Sequence, residues 1–391
     1  MRKKFGLDIK ILLIVAITFS IVSFFVLFKI NIFIKGNNIS TNIPVSIRNW
    51  IEIPLTLNSH NTFGVFDTGS NICVVDESSL QKYKIIKLPI KIPVNWSKWQ
   101  SVVIIRHLKI GDFFFKNVIA IAVDLKSESK VLECINSDII IGTPIINKLV
   151  WMFNLNKKEL TVSTGSPINI SETKFKSFSF QGKFLYNIIV QVNFIKHKVI
   201  IDFGHSSSLI LPLKYAPKQF GIQYETINKK DINGRYHDKV ILSNSDVIFG
   251  SDTLRNMLVE YSDKNANILG FNFFKNYNEI IIDPYARMIH LGSQIRIKDE
   301  LKFKGFGFNI NFIDSNLVIT SIFDKSPAQK AGLLIGDKIL SINGVSASSF
   351  LAYDYSTYIE KSDSIFIQKT IELTVKREKP FRVVLERNTF N

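Results

Sequence analysis

Two aspartates end similar apolar segments and are the residues of this chain best placed to do chemistry. Asp67 opens the stretch Asp67-Thr68-Gly69-Ser70, which follows Val65-Phe66 and precedes another apolar run. Asp202 opens Asp202-Phe203-Gly204-His205 after a comparable run. Two carboxyl groups held close together cannot both ionise, so one keeps a proton and the pair supplies an acid and a base. The two aspartates predict general acid–base catalysis if the fold brings them together.

The elements that carry the aspartates repeat along the chain. A strand, a hairpin turn and a second strand end on Asp67, and the same plan ends on Asp202. An aliphatic residue and a glycine follow at similar distances, at Ile141-Gly142 and at Leu269-Gly270, and each copy then closes with a further hairpin. The repeat predicts two homologous lobes that each donate one aspartate.

The sequence Asp67-Thr68-Gly69-Ser70 between two apolar strands resembles the active-site loop of pepsin and retropepsin aspartic proteases. With the second copy, the chain resembles two-lobed bacterial members of that group. The resemblance implies an all-β fold of two β-barrel lobes with a cleft between them, and a dyad of Asp67 and Asp202 that activates water against a protein or peptide substrate. It implies no metal and no organic cofactor, because the carboxylates alone activate the water.

The resemblance also assigns roles to the residues around the first aspartate. Gly69 lets the two loops approach closely. Thr68 is expected to send its hydroxyl across to the opposite loop, and Ser70 to bond the outer oxygen of Asp67. These bonds would hold the two carboxyl groups coplanar.

The second loop keeps Asp202 and Gly204 but departs from this pattern at two positions. Phe203 stands where the family has Thr or Ser, so it has no hydroxyl to send across. His205 stands where the family has a small residue, and a charged His205 would lower the pKa of Asp202. The alternative to a working protease is a decayed one whose lobes only bind peptides.

Two pairs of residues in the first lobe have open assignments. Trp96 and Trp99 lie in the interval where related proteases carry the flap, a hairpin that folds over the substrate; the alternative is that they pack on the lobe. Cys73 and Cys134 lie in segments that are close together in the aspartic-protease fold. They are either a disulfide, in an oxidising compartment, or two buried thiols.

The C-terminal region resembles a PDZ domain over residues 300 to 391. The matching features are Gly305-Phe306-Gly307-Phe308, the apolar run from Leu317, Ser326-Pro327 before a short helix, and Gly336-Asp337 before a strand. By resemblance, Gly305, Phe306, Gly307 and Phe308 form the loop that binds a peptide carboxylate, and Phe308 begins the strand beside which the peptide lies. The alternative is a groove that is filled within the chain.

The N-terminal residues 9–28 are apolar apart from Lys10 and three hydroxyl residues, which is long enough to cross a membrane. A cleaved signal peptide is the alternative, but the run is long for one and no small-residue cleavage site follows. We therefore expect a single-pass anchor with a cytoplasmic N-terminus and an extracytoplasmic bulk. The predicted division is a tail (1–8), the anchor and juxtamembrane segment (9–34), two protease lobes (43–165 and 166–298) and the PDZ domain (299–391).

The formal net charge is +16, yet its distribution does not indicate nucleic-acid binding. Lys and Arg are scattered through predicted strands and turns, without a basic helix or an aromatic-basic platform. The positive charge is still compatible with attraction to an anionic membrane surface or to acidic substrates.

Overall fold

The structure is a computed structural model. It describes the ranges 31–34, 39–94, 98–125, 137–165, 174–217, 222–227, 237–250, 252–263, 266–295, 303–313, 316–351 and 364–390. The predicted anchor segment 9–28, Trp96 and Cys134 lie outside these ranges. None of the helices in the described ranges has the length and apolar character needed to span a membrane.

The first part of the chain is built almost entirely from strands. They are β1 (Asn31–Ile34), β2 (Ile39–Pro44), β3 (Ser46–Ile47), β4 (Ile51–Leu57), β5 (His60–Phe66), β6 (Cys73–Asp76), β7 (Ile86–Val94), β8 (Lys98–Ile110), β9 (Phe113–Val123), β10 (Ser137–Ile141), β11 (Val150–Asn154) and β12 (Glu159–Ser163), with a short 3₁₀ helix at Glu77–Ser79 and one turn of helix, α1 (Thr143–Ile146). Residues 31–34, which the sequence assigned to the juxtamembrane segment, pair with β9.

Six of these strands close into a barrel in the cyclic order β4, β5, β10, β6, β9, β8. The alternation of side chains along β4 shows why the sequence folds this way. Ile51, Ile53, Leu55 and Leu57 are buried, while the residues between them are partly exposed. The barrel interior is therefore filled by every second residue, and β5 ends at the barrel rim immediately before Asp67.

The second lobe repeats this barrel. Its elements are β13 (Lys176–Ser179), β14 (Asn187–Val192), β15 (Ile195–Asp202), β16 (Leu209–Pro212), β17 (Ile222–Ile227), β18 (His237–Phe249), β19 (Asp252–Ser262), β20 (Ile268–Gly270), β21 (Glu279–Asp283) and β22 (Met288–Leu291), with a 3₁₀ helix at Leu213–Tyr215 and helix α2 (Phe271–Phe274). The cyclic order is β14, β15, β20, β16, β19, β18. Each strand matches one of the first barrel, which confirms the predicted two-lobed all-β fold.

A separate six-stranded sheet joins the lobes, in the order β13, β22, β21, β11, β12, β2. Its central pair brings the closing hairpins of the two lobes together, with Trp151 beside Ile282. Both residues are buried, and the core is continuous from one barrel through this sheet to the other. The two lobes are therefore fixed to one another by main-chain hydrogen bonds as well as by packing.

The C-terminal domain has its own core. Its elements are β23 (Phe303–Gly305), β24 (Phe308–Ile313), β25 (Asn316–Phe323), α3 (Pro327–Lys330), β26 (Lys338–Ile342), β27 (Val345–Ser346), α4 (Ala347–Leu351), β28 (Thr370–Lys376), β29 (Phe381–Glu386) and β30 (Asn388–Phe390). Helix α3 begins as the sequence predicted, because the Ser326 hydroxyl accepts a hydrogen bond from the Gln329 N–H at 3.2 Å. Pro327 occupies the first turn, where its missing N–H is not needed.

One strand pair connects this domain to the second lobe. β17 pairs antiparallel with β25, with Tyr224, Glu225 and Thr226 opposite Phe323, Ile322 and Ser321. The second barrel and the C-terminal domain thus share a continuous thirteen-stranded sheet. Nothing in the sequence repeat indicated this pairing.

Candidate functional site

Asp67 and Asp202 occupy equivalent positions at the rims of the two barrels. Asp67 follows β5, which runs parallel to β10, and its N–H donates to the Ile141 carbonyl at 3.1 Å. Asp202 is the last residue of β15, which runs parallel to β20, and it lies beside Gly270. Each carboxyl group is therefore placed by a strand whose parallel neighbour ends at the predicted glycine, Gly270, or immediately before it, at Ile141.

The two loops face each other, and each carboxyl group lies against the opposite glycine. A Cβ atom added to Gly69 would be 2.4 Å from Asp202 Cγ, and one added to Gly204 would be 2.5 Å from Asp67 Cγ. Each Oδ1 accepts the N–H of its own loop glycine, at 2.8 Å for Asp67 and 2.9 Å for Asp202. The two carboxyl groups also hydrogen-bond to each other. The fold thus brings together the pair that the sequence singled out.

We expect Gly204→Ala to reduce any activity of the carboxyl pair by about 100-fold or more, because misplacement by about 1 Å is enough to produce such a loss. The added methyl group would occupy the position of the Asp67 carboxyl group. The measurement is the rate of peptide hydrolysis, with far-ultraviolet circular dichroism to establish that the fold is retained. An unchanged rate in a folded variant would contradict the facing arrangement of the loops.

Burial and mutual repulsion shape the electrostatics of the pair. Burial, followed by the negative charge of Asp202, raises the pKa of Asp67 to about 7. Burial also raises the pKa of Asp202, and a positive charge on His205 would oppose this effect. The pair therefore holds one shared proton to a higher pH than a lone carboxyl group would.

His205 is held in place by its own main chain and ring. Its N–H donates to the Asp202 carbonyl at 3.3 Å, and its carbonyl accepts from Phe271 at 2.7 Å. The ring Nδ1 accepts from the Ser207 N–H at 3.2 Å. A charged imidazole has no acceptor nitrogen, so this hydrogen bond fits a neutral ring, and the expected lowering of the Asp202 pKa requires His205 to be charged.

The hydroxyl of Thr68 crosses to the opposite loop. Thr68 Oγ1 donates to the Ile201 carbonyl at 2.7 Å and accepts from the Phe203 N–H at 3.1 Å. The expectation for Ser70 was wrong in detail. The Ser70 hydroxyl donates to the Ile72 carbonyl at 2.7 Å, and it is the Ser70 main-chain N–H that bonds the Asp67 carboxyl group. The hydroxyl proton of Ser70 is therefore used in a short turn within the first loop, between Ser70 and Ile72.

We expect Thr68→Val to destabilise the protein more than Thr68→Ser does. Valine has a similar shape but leaves the Ile201 carbonyl and the Phe203 N–H unsatisfied, at a cost of about 1–3 kcal/mol for each buried group. Serine keeps the hydroxyl. Urea unfolding of both variants measures the difference, and equal stabilities would show that the crossing hydroxyl is unimportant.

Phe203 replaces the reciprocal hydroxyl with an aromatic contact across the lobe boundary. Its ring is fully buried, lies 4.7 Å from that of Phe274 in a stacked arrangement, and lies 5.7 Å from that of Phe66. Phe153 and Phe271 complete the contacts, at 6.4 and 5.5 Å. The lobes are therefore joined beside the dyad by hydrogen bonds on one side and by aromatic packing on the other.

This aromatic cluster was not identified from the sequence. Phe66 precedes Asp67, and Phe271 follows the glycine of the second repeat, so both belonged to recognised motifs. The signal that could have revealed the cluster is the coincidence of Phe203, a departure from the family pattern, with aromatic residues at neighbouring motif positions.

The proposed flap corresponds to the hairpin β7–β8. Trp99 lies near its tip, opposite Pro93, and is 66% exposed, so it does not pack on the lobe. Trp96 lies outside the described residues. The corresponding hairpin of the second lobe is β17–β18, which pairs with the C-terminal domain instead.

Cys73 is fully buried, and burial raises the pKa of its thiol to about 12. Because Cys134 lies outside the described residues, the disulfide stays a prediction. Within the described ranges, no three His, Cys, Asp or Glu residues are grouped so that they could hold a metal ion.

The loop from Gly305 to Phe308 is shaped to present N–H groups. The Phe306 carbonyl accepts from Ala328 at 2.9 Å, and the Gly307 carbonyl accepts from Phe323 at 2.9 Å. A trans peptide unit directs its C=O and N–H in opposite directions, so the N–H groups of Gly307 and Phe308 point away from these partners. Gly307 has φ +82°, a conformation that favours glycine.

Comparisons with known proteins each match part of the chain. A 66-residue stretch, 16% of the chain, is 41% identical to the carboxy-terminal processing protease CtpB of Bacillus subtilis, and it covers 14% of the length of that protein. No aspartic protease family model matches the chain. The family model described as "PDZ domain" matches residues 294–376. Together with the separate core and the loop at Gly305, this match shows that the C-terminal domain of the chain is a PDZ domain.

Proposed function

We propose that this protein is an aspartic endopeptidase that hydrolyses peptide bonds with a dyad of Asp67 and Asp202. The observation that carries the proposal is the reciprocal packing of each carboxyl group against the opposite glycine. That arrangement holds two hydrogen-bonded carboxyl groups between two lobes, with one retained proton. The ionised Asp202 accepts a proton from water, and the protonated Asp67 donates to the carbonyl oxygen of the scissile bond.

The PDZ domain supports the same proposed function, since it supplies a second site for a polypeptide besides the cleft between the lobes. A free peptide C-terminus would bind the N–H groups of Gly307 and Phe308, with the peptide lying along β24. CtpB, the relative that matches over a short stretch, is by its name also a processing protease. We further propose that residues 9–28 anchor the protein with its catalytic part outside the cytoplasm, on the strength of their length and apolar composition.

The test is cleavage of unfolded casein by the purified protein, with and without a pepstatin-type inhibitor. We expect inhibition by the statin, because it places a hydroxyl group where the dyad holds water. Casein cleavage that a statin leaves unchanged and a serine-directed reagent abolishes would overturn the aspartic mechanism.

A second candidate is a peptide-binding protein whose lobes have lost catalysis. Phe203 is the observation that favours it, because the second loop lacks the hydroxyl that the first loop uses. Absence of casein cleavage at every pH between 4 and 8, together with retained binding of statin and of C-terminal peptides, would support this candidate.

The pH dependence of hydrolysis follows from the carboxyl pair. The active form carries one proton, and the raised pKa of Asp67 places the loss of that proton near pH 7. Activity should therefore fall as the pH rises through about 7, and should also fall at acid pH, where Asp202 becomes protonated. The pH profile of kcat/KM on a fluorogenic peptide measures both limbs. A profile that is flat from pH 6 to 9 would contradict the assignment.

A further inference from the structure

The two lobes carry the same tight turn at equivalent places, but with different residues. Asn58-Ser59 joins β4 to β5, and Asn193-Phe194 joins β14 to β15. The φ angles of these four residues, in that order, are +44°, +76°, +49° and +67°. Positive φ at both central residues is the pattern of a type I′ turn, which favours Asn-Gly. Asparagine is present in both turns, and the glycine position is occupied by a serine in one lobe and by a phenylalanine in the other.

Phe194 is poorly suited to its position in this turn. A bulky residue with positive φ is a conformational outlier. Its side chain is 95% exposed, so packing within the chain does not offset the cost. The first-lobe turn is held by its own hydrogen bonds, because Asn58 Nδ2 donates to the Tyr83 carbonyl at 2.8 Å. An outlier that the fold itself does not require is a reason to look for a role in binding.

The surroundings of this phenylalanine are apolar and basic. Ile189 and Ile195 are exposed beside it. Lys196 and Lys198 are exposed on the same hairpin, and residues 187–201 include no acidic residue. The adjoining bend of β18 and β19 adds one exposed residue of each charge, Asp246 and Arg255. Apolar side chains next to lysines suit the interface of an anionic bilayer, which takes up the apolar groups and attracts the positive charges.

The anchor proposed above enters the molecule beside the first-lobe turn. Its apolar run ends at residue 28, shortly before β1 begins at Asn31. Asn31 lies opposite Lys116 in β9, and Lys116 lies opposite His107 in β8. The His107 carbonyl accepts from the Asn58 N–H at 2.8 Å. A bilayer that holds the apolar run therefore lies on the side of the first-lobe turn.

The second-lobe turn lies on this side as well. Each dyad carboxyl group contacts the opposite glycine in the same way, as a twofold axis between the lobes requires. Points related by a twofold axis lie at the same height along it, so Phe194 is level with the first-lobe turn. Trp99, an exposed aromatic residue near the tip of β7–β8, is far from this level. It precedes Leu108, which lies opposite Leu57 at the first-lobe turn, by about 30 Å of extended strand.

We propose that the turn at Phe194 inserts into the surface of an anionic phospholipid bilayer. Phe194 and Ile195 enter the interfacial region, and Lys196 and Lys198 contact the anionic headgroups. Together with the anchor, this second contact orients the protein with the β7–β8 hairpin away from the membrane. The choice of a bilayer as the occupant rests on the anchoring proposed above, whereas the contact itself does not depend on peptidase activity.

The test places a photoreactive residue at the turn of the full chain. Benzoylphenylalanine replaces Phe194, or Trp99 as the matched control, and each protein is reconstituted in nanodiscs of phosphatidylcholine alone or mixed with phosphatidylglycerol. We expect irradiation to crosslink position 194 to lipid, with a yield about 5-fold or more higher in the anionic nanodiscs, because one lysine near an anionic surface favours contact by about that factor. Position 99 should give no lipid crosslink above background.

Two variants separate the charged from the apolar contribution. With the photoreactive residue kept at position 194, Lys196→Gln combined with Lys198→Gln should lower the yield in anionic nanodiscs to the zwitterionic value. Phe194→Gly should lose the protection from hydrogen exchange that the turn gains in anionic nanodiscs. In urea unfolding it should be at least as stable as the wild type, because glycine is the residue that this turn position favours.

Several results would overturn the proposal. They are the absence of a lipid crosslink at position 194, equal lipid crosslinking at positions 99 and 194, and a yield that the lysine variant leaves unchanged. A crosslink from position 194 to a second copy of the chain in place of lipid would also overturn it. A marked loss of stability in Phe194→Gly would show that folding itself requires the phenylalanine, against the proposal.

Failure of the anchor and failure of the hairpin contact can be told apart. Flotation of the full chain with phosphatidylcholine vesicles measures the anchor alone, whereas the lipid crosslink measures the turn. Neither measurement needs hydrolysis of a peptide, so the result stands whether or not the protein is a peptidase.

Discussion

The Asp67→Asn variant is expected to lose peptide hydrolysis by a factor of about 10²–10⁴ or more, while keeping its fold and its thermal stability near neutral pH. General acid–base groups contribute an effect of this size. Asparagine has nearly the same shape, so the packing against Gly204 is kept. It cannot hold the proton that the raised pKa of about 7 keeps on Asp67. The measurement is kcat/KM on the fluorogenic peptide, with circular dichroism as the control for folding.

Asp202→Asn provides the decisive comparison, because the two carboxyl groups act as one unit. We expect its loss to equal that of Asp67→Asn, and the double variant to be no worse than either, since groups that act together are not additive. Full activity in Asp67→Asn would end the proposed mechanism. Activity that depends on Asp67 but not on Asp202 would indicate instead a homodimer in which two first lobes pair their aspartates.

The second large effect is on stability, at Phe203. Phe203→Ala should lower the free energy of unfolding by about 3–5 kcal/mol, because it removes a fully buried ring that contacts aromatic residues of both lobes. Phe194 supplies the matched control, since its ring is 95% exposed at a hairpin tip. Phe194→Ala should change stability by less than about 0.5 kcal/mol. Urea unfolding measures both.

Phe203→Thr separates packing from the missing hydroxyl. Threonine introduces the hydroxyl group that related active sites carry at this position. It is much smaller than phenylalanine, so most of the cavity that Phe203→Ala creates is still present in Phe203→Thr. We expect it to be destabilised by a similar amount, because one hydrogen bond contributes only about 1 kcal/mol. A Phe203→Thr protein as stable as the wild type would show that the aromatic cluster does not hold the lobes together.

The catalytic candidates and the two barrels were predictable because their signals are local or repeated. Asp67 follows β5 and Asp202 ends β15, and the glycines Gly69 and Gly204 mark where the chain must pass close to another part of itself. The PDZ loop was recognisable for the same reason, since Gly305 to Phe308 is a short contiguous motif. In each case the residues that impose the conformation lie within a few positions of the motif that reveals it.

The remaining features depend on contacts between distant segments. No local sequence pattern predicts that β11 pairs with β21, or that β17 pairs with β25. Any apolar strand of suitable length can accept a neighbour, so the partner is selected by the assembled tertiary structure. The hydroxyl of Ser70 was misassigned for a related reason, because a carbonyl two residues away, at Ile72, competed for its proton.

The sheet that joins the lobes has a consequence for how the protein is made. Its hydrogen bonds link segments as distant as Asn154 and Glu279, which are 125 residues apart in sequence. Pairing over such distances is slow, because the chain must close a long loop before the contact forms. During synthesis the first barrel is complete long before β21 and β22 emerge. Asp67 therefore meets Asp202 only after the second lobe has folded onto the first, so the hydrolytic activity proposed for this pair requires that both lobes have folded.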